Sequence, residues 1–262
     1  MQIAASGTDR VRSFLVLAAT IGTIAFNWLT AVGRLGGITP ADISEKYPTA
    51  ITPAGYAFSI WSLIYLGLIA FSIYQILPAN LARFRAMRSV YIFSCALNCA
   101  WLYFWIGDRP DICFAILFAL SITLLFINLY VRRNESLADF WMVKAPFGLY
   151  FGWVTEATFV NFAVLLAYLD VRFSESAATA LGVGLILLAA ALGVFARIRI
   201  TNYMFPLAVA WALTAIGVEQ SGHTLIVVAA AVGVVACLIA ASSFIINLPT
   251  RSPGSSGPPS KG

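Results

Sequence analysis

Charge is scarce in this 262-residue chain: 10% of its residues are Asp, Glu, Lys or Arg, against about 25% in soluble domains. Without that polar cover a water-soluble fold, and with it a soluble enzyme, is excluded. Histidine occurs once, as His223, which removes bis-His haem ligation, an HExxH zinc site and a conventional Ser-His-Asp triad. The lysines are Lys46, Lys144 and Lys261; none falls in the middle of an apolar run, which argues against a retinal Schiff base. The net charge of +5 is too sparse to track phosphates, so nucleic acid is not an expected partner. Short segments of alternating polarity, the signature of an outer-membrane barrel, are missing. The four cysteines, Cys95, Cys99, Cys113 and Cys237, sit inside apolar runs and imply no disulfide framework. Cys95 and Cys99 share a helix face, but with no histidine nearby they read as buried thiols rather than metal ligands.

Apolar sequence is abundant: 61% of residues are hydrophobic and the mean hydropathy is +0.89. About 20 such residues in a row cross a bilayer as a helix. Runs bounded by charge, Pro or Gly fall at about 12–33, 56–77, 89–107, 110–131, 144–168, 177–196, 203–218 and 223–247. The chain is therefore predicted to be an all-α polytopic membrane protein with eight spans. The seventh is the doubtful one, since it holds only about 16 residues and opens on Tyr203-Met204-Phe205-Pro206. Basic residues collect in cytoplasmic loops. With both termini placed inside, twelve of the sixteen fall on the inner side and only Arg34, Lys46, Arg109 and Arg172 on the outer side.

The first run exceeds the 7–15 residues of a signal-peptide core, and Asn27-Trp28 interrupts any small-residue cleavage site, so it reads as a retained span. Residues 1–11 form a short cytoplasmic lead, 12–168 hold five spans, 169–248 hold three more, and the Pro-, Gly- and Ser-rich stretch 249–262 is expected to be disordered.

Glu156 is the carboxylate that falls well inside a proposed span. Its cost in lipid marks either a cavity or proton path, or a protonated group bonded to a neighbouring helix. Thr155, Thr158 and Asn161 lie within one and a half turns of it, and Asn27 and Asn98 are further amides that need partners. Trp28, Trp105 and Trp141 read as interfacial belt residues. Trp61, Trp101 and Trp153 each lie near an amide or a small residue and suit a flat ligand stacked within a bundle.

The fifth run reads Trp153-Val154-Thr155-Glu156-Ala157-Thr158-Phe159-Val160-Asn161-Phe162-Ala163. Its W-V-x-x-A-T-x-x-N-F-A pattern resembles the last helix of the TspO/MBR family, which comprises the translocator protein and the bacterial tryptophan-rich sensory proteins. Two further blocks agree in order and spacing: Pro53 with Phe58, Trp61, Tyr65 and Gly67, and Leu97-Asn98-Cys99-Ala100-Trp101; Arg109-Pro110 then matches the family's R-P. The resemblance covers about residues 12–168. It departs at Tyr103, where a Pro is usual, at Pro146-Phe147 and Tyr150, where a Pro-Tyr pair is usual, and at Glu156, usually apolar. The last three spans find no counterpart in it, and their scarcity of polar side chains reads as a lipid-facing or partner-binding addition.

What the resemblance implies is a five-helix bundle, often homodimeric, in the plasma membrane of a bacterium. It binds porphyrin, haem or similar flat lipophilic molecules as ligands rather than as an obligatory cofactor, in a pocket that opens toward the first loop, here Arg34 to Gly55. Stacking surface is then expected from Trp61, Trp101 and Trp153, polar contacts from Asn98, Glu156 and Asn161, and a mouth near Tyr56 and Tyr65. No catalytic or metal-binding residue is expected. Two other readings stay open: a proton- or substrate-coupled transporter using Glu156, and an enzyme that degrades a bound porphyrin with light and oxygen. The sterol-type pattern Leu165-Tyr168-Arg172 carries little weight, because Leu125-Tyr130-Arg132 satisfies it equally well. Gly148-x-x-x-Gly152 reads as a surface for packing within the chain.

Overall fold

The computed structural model describes residues 6–132 and 136–243; the segment 249–262 expected to be disordered lies outside them, as does the end of the last predicted run. Among the described residues every regular element is helical. In order they are α1 (Gly7–Ala31), α2 (Pro40–Lys46), a 3-10 turn (Gly55–Ser59) leading into α3 (Ile60–Tyr74), α4 (Arg85–Ile106) and α5 (Pro110–Val131). Then come the single-turn α6 (Leu137–Asp139), which continues through a π-helical turn (Phe140–Lys144) into α7 (Ala145–Tyr168), and α8 (Glu175–Arg199), α9 (Met204–Glu219) and α10 (Thr224–Ser242). Among the described residues seven helical segments are long and apolar enough to cross a membrane, and α9 is a shorter apolar helix.

Polar caps and paired charges account for helix starts that hydropathy does not mark. α1 begins at Gly7 because Ser6 and Asp9 form a capping box: Asp9 N donates to Ser6 Oγ at 3.2 Å, and Ser6 N donates to Asp9 Oδ2 at 2.8 Å. α4 begins at Arg85 because its first basic residues belong to the packing. Arg85 pairs with Asp9, and the fully buried Arg88 donates to Gln75 Oε1 at 2.7 Å and to the Leu81 carbonyl at 2.7 Å. α2, unmarked by hydropathy, is set by a Thr39–Asp42 capping box with Pro40 in the first turn.

α1 packs on α3 and α4, α4 on α5, α5 on α7, and α7 on α3, which closes a five-helix bundle. α8, α9 and α10 pack on one another, and α9 docks along α7. The Gly148/Gly152 face makes this docking close. A Cβ on Gly152 would lie 2.9 Å from Ala208 Cβ and run into the Phe205 carbonyl, and one on Gly148 would meet the Asn202 side chain. That side chain donates to Asn128 Oδ1 at 3.1 Å and to the Lys144 carbonyl at 2.7 Å.

α9 is thus more than a lipid-facing addition: most of its side chains are buried between α7, α8 and α10. Its length of about 24 Å at 1.5 Å per residue falls short of a hydrocarbon core of about 30 Å, but a helix shielded by protein need not match the lipid. Its end is tied to the α2–α3 segment. Ala54 N donates to the Ala215 carbonyl at 3.1 Å, Trp211 Nε1 to the Ala57 carbonyl at 3.0 Å, and Gln220 Nε2 to the carbonyls of Thr49 and Thr52 at 3.2 and 3.3 Å.

Gln220→Leu keeps the volume and removes the last two bonds. Loss of about 1 kcal/mol of local stability is expected, read as roughly fivefold faster amide exchange over residues 47–59 with little change elsewhere.

Candidate functional site

Three indoles form a column. Trp61 from α3 and Trp101 from α4 stack with ring centroids 6.3 Å apart at 19°, and Trp101 and Trp105, one turn apart on α4, stack at 5.8 Å and 24°. Trp153 from α7 stands edge-on to Trp61 at 6.2 Å, and Tyr65 lies one turn beyond Trp61 on α3 at 5.3 Å. These offset and edge-to-face arrangements are the favoured ones for aromatic pairs.

Beside the column a cavity of about 350 Å³ opens between α1, α3 and α4, under Thr39, Pro40 and Ala41 at the start of α2. Its wall includes Phe58, Trp61, Tyr65, Trp101 and Asn27. Asn27 Nδ2 donates to the Thr23 carbonyl at 2.9 Å and to Asn98 Oδ1 at 2.8 Å, and Asn98 Nδ2 donates to Tyr150 Oη at 3.0 Å. With its hydrogens engaged, Asn27 offers a ligand its carbonyl oxygen. Tyr65 Oη is buried and has no hydrogen-bond partner among the described residues. A mostly apolar wall with a few polar atoms is what an amphiphilic small molecule requires.

Behind Phe58 and Trp101 lies a crevice of about 30 Å³ lined by Trp153, Glu156 and Asn161 of α7 and by Ala212 and Ile216 of α9. Asn161 is engaged, its Oδ1 accepting from Trp101 Nε1 at 3.3 Å and its Nδ2 donating to the Ala157 carbonyl at 3.0 Å. Trp153 Nε1 and Glu156 Oε2 are buried without a partner among the described residues.

Residues 13–244 match the family model described as TSPO-like protein. The chain belongs to the TSPO-like family. No curated protein and no solved structure matches it. The family match extends past Tyr168, the limit reached by the sequence motifs, and takes in α8, α9 and α10 of this TSPO-like protein.

The eight residues named from sequence fall into four places. Trp61, Tyr65 and Trp101 line the cavity, and Trp101 also borders the crevice that holds Trp153, Glu156 and Asn161. Asn98 sits one step behind the wall, tying α1, α4 and α7 together through Asn27 and Tyr150. Tyr56 is not at the mouth: its ring packs edge-on against Trp211 of α9, with centroids 5.5 Å apart. The polar neighbours expected around Glu156 also turn away, since Thr155 and Thr158 donate to the carbonyls of Phe151 and Val154 four residues back.

Trp105 is no belt residue. It is buried in the column, and its Nε1 donates to the Pro40 carbonyl at 3.0 Å. Trp28 and Trp141 are exposed, as an interfacial role requires, and Trp28 also lines the cavity. Sequence reasoning missed Asn27 and Phe58 as wall residues. A signal for Asn27 was present: the buried face of α1 is a polar stripe of Ser13, Thr20, Thr23, Asn27 and Thr30 at helical spacing.

The cover over the column is pinned from outside the spans. Lys46 pairs with Asp108, and Tyr47 Oη donates to Asp108 Oδ1 at 2.8 Å. The Lys46 ammonium first, and the Tyr47 hydroxyl after it, hold the Asp108 carboxyl below the usual carboxylate range. A carboxyl whose folded value is lowered contributes stability above its ordinary value of about 4, and that stability is lost as pH falls through the lowered value. Asp108→Asn is therefore expected to loosen α2 at neutral pH. Its difference from wild type in amide exchange at α2 should persist down to about pH 4 and fade as pH falls further, through the lowered value.

Proposed function

We propose that this TSPO-like protein is a membrane-embedded binding or sensor protein that holds a flat lipophilic molecule of tetrapyrrole type against Trp61 and Trp101. The observation that carries the reading is the parallel indole column standing beside a largely apolar cavity. A planar macrocycle offers an extended face to these rings, and Tyr65 Oη, buried without a partner among the described residues, is available to donate to a carboxylate at its edge. The molecule is read as a ligand and not as an obligatory cofactor, and the protein as a binder without a catalytic step.

We also infer eight crossings with both termini on the cytoplasmic side. Support comes from α9 running from the Lys144 end of α7 to the Thr49–Thr52 segment, that is, from one end of the bundle to the other. Arg83, Arg85, Arg88, Arg197 and Arg199 belong to the end where α7 begins, in keeping with a basic inner face. The bacterial plasma membrane is inferred from the resemblance to the tryptophan-rich sensory proteins.

The test is a titration of the purified, detergent-solubilised chain with protoporphyrin, followed by tryptophan emission. Saturable quenching at micromolar ligand supports the reading; quenching that never saturates, or equals that of free tryptophan in the same micelles, counts against it.

A further inference from the structure

Trp153 Nε1 and Glu156 Oε2 are unpartnered within one crevice. Three residues apart on α7, the two residues share a face of the helix and line the same crevice. An unpaired polar atom in a buried apolar setting is costly, so two together mark a place where a third group belongs.

Its chemistry follows from what the pair lacks. The indole N–H only donates, while the carboxyl accepts and, when neutral, also donates. A hydroxyl accepts from Trp153 and donates to Glu156, which satisfies both. A hydroxyl does so whether Glu156 is neutral or ionised, whereas an acceptor-only oxygen, carbonyl or carboxylate, satisfies both only when Glu156 is neutral, and a carboxylate repels its ionised form; an ammonium cannot accept from the indole. No basic side chain lines the crevice to hold an anion; Val160, Ala212 and Ile216 make much of its surface apolar, and Ser44 of α2 adds a neutral hydroxyl. The space, about 30 Å³, suits a group the size of one water molecule.

The crevice and the larger cavity share Phe58 and Trp101 as a wall. Trp101 is held within α4 and bonded to Asn161, whereas Phe58 lies on the 3-10 turn before α3. Phe58 packs edge-on to Trp153 at 6.0 Å and is the part of the shared wall that no side-chain hydrogen bond fixes.

We propose that the crevice is the head-group subsite of the ligand site, receiving a neutral hydroxyl carried on the edge of a ring system that lies against Trp61 and Trp101. This rests on the reading of the cavity as a flat-ligand site and adds the class of substituent that the ligand carries.

Four pyrene probes test it: 1-pyrenemethanol, 1-methylpyrene, 1-pyrenemethylamine and 1-pyrenecarboxylic acid. Each is titrated into the full chain by energy transfer from tryptophan to pyrene, with affinities corrected for partition into empty micelles. The alcohol is expected to bind about tenfold more tightly than the methyl compound, as one buried hydrogen-bonded head group warrants, and more tightly than the amine or the acid. Glu156→Leu should abolish that preference, so that alcohol and methyl compound bind this variant with equal affinity. Glu156→Gln, which keeps a neutral donor and acceptor, should retain most of it.

Equal affinity for alcohol and methyl compound overturns the subsite and leaves the flat-ligand reading standing. Tightest binding of the amine, lost in Glu156→Gln, overturns the neutral head in favour of a cation. Saturable binding of none of the four overturns both readings.

Discussion

Trp101→Ala is expected to weaken protoporphyrin binding by roughly thirty- to a hundredfold. The indole is buried, stacks with both Trp61 and Trp105, and lines the cavity. Its removal takes away stacking worth about 0.5–1.5 kcal/mol together with apolar contact area, about 2–3 kcal/mol in all, and each 1.4 kcal/mol is about a factor of ten in affinity. Trp101→Phe, which keeps a ring but leaves Asn161 Oδ1 without its donor, should lose no more than about tenfold. Tryptophan-quenching titrations measure both, and a monodisperse gel-filtration profile confirms that each variant is folded. Wild-type affinity in a folded Trp101→Ala protein would show that the ligand does not lie on the column.

Gly152→Leu should be the most damaging single change in the membrane-spanning region. The α7–α9 contact has no room even for a Cβ at this position, because the Phe205 carbonyl and Ala208 Cβ occupy the space. A full side chain must push α9 away, and α9 carries both the Ala212 and Ile216 wall of the crevice and the hydrogen bonds to the 49–57 segment. Overpacking of this kind costs about 3 kcal/mol, or roughly 6–12 °C in unfolding midpoint for a chain of this size. Ligand binding should fall with it, since the segment over the cavity loses its anchor. A thermal-shift assay in detergent decides the first point; an unchanged midpoint would mean that α7 and α9 are not in contact.

The helices were legible because hydropathy and charge act over 20 residues at a time. α5 and α7 match their predicted limits to within a residue, while α1 and α4 start earlier than the apolar runs because a capping box and paired charges extend them. The role of α9 was hidden: its composition, rich in Ala, Val and Leu, is the same whether such a helix faces lipid or fills a core. The informative residues were Gly148 and Gly152 on α7, whose meaning depends on the partner brought against them.

At the site, sequence blocks identified Trp61, Trp101 and Trp153, yet local spacing could not show that Trp153 and Glu156 stand behind the wall and not within the cavity. Trp105 was misplaced because an aromatic residue near the end of a span looks interfacial until α2 is folded over it. Tyr56 was expected near the mouth, but α9 supplies Trp211 to take its ring. Thr155 and Thr158 seemed to surround Glu156 in sequence, whereas helical hydroxyls satisfy themselves on the preceding turn.

The ligand is proposed to occupy the cavity beside the Trp61–Trp101 pair and not the lateral groove of about 410 Å³ formed by Phe118, Phe151, Leu185 and their neighbours between α5, α7 and α8. Photo-crosslinking with a diazirine-bearing porphyrin, followed by peptide mapping, separates the two. Label on the peptides that carry Trp61, Tyr65 and Trp101, displaced by unlabelled protoporphyrin, is the expected result; displaceable label on α5 and α8 around Phe118 and Leu185 would contradict it.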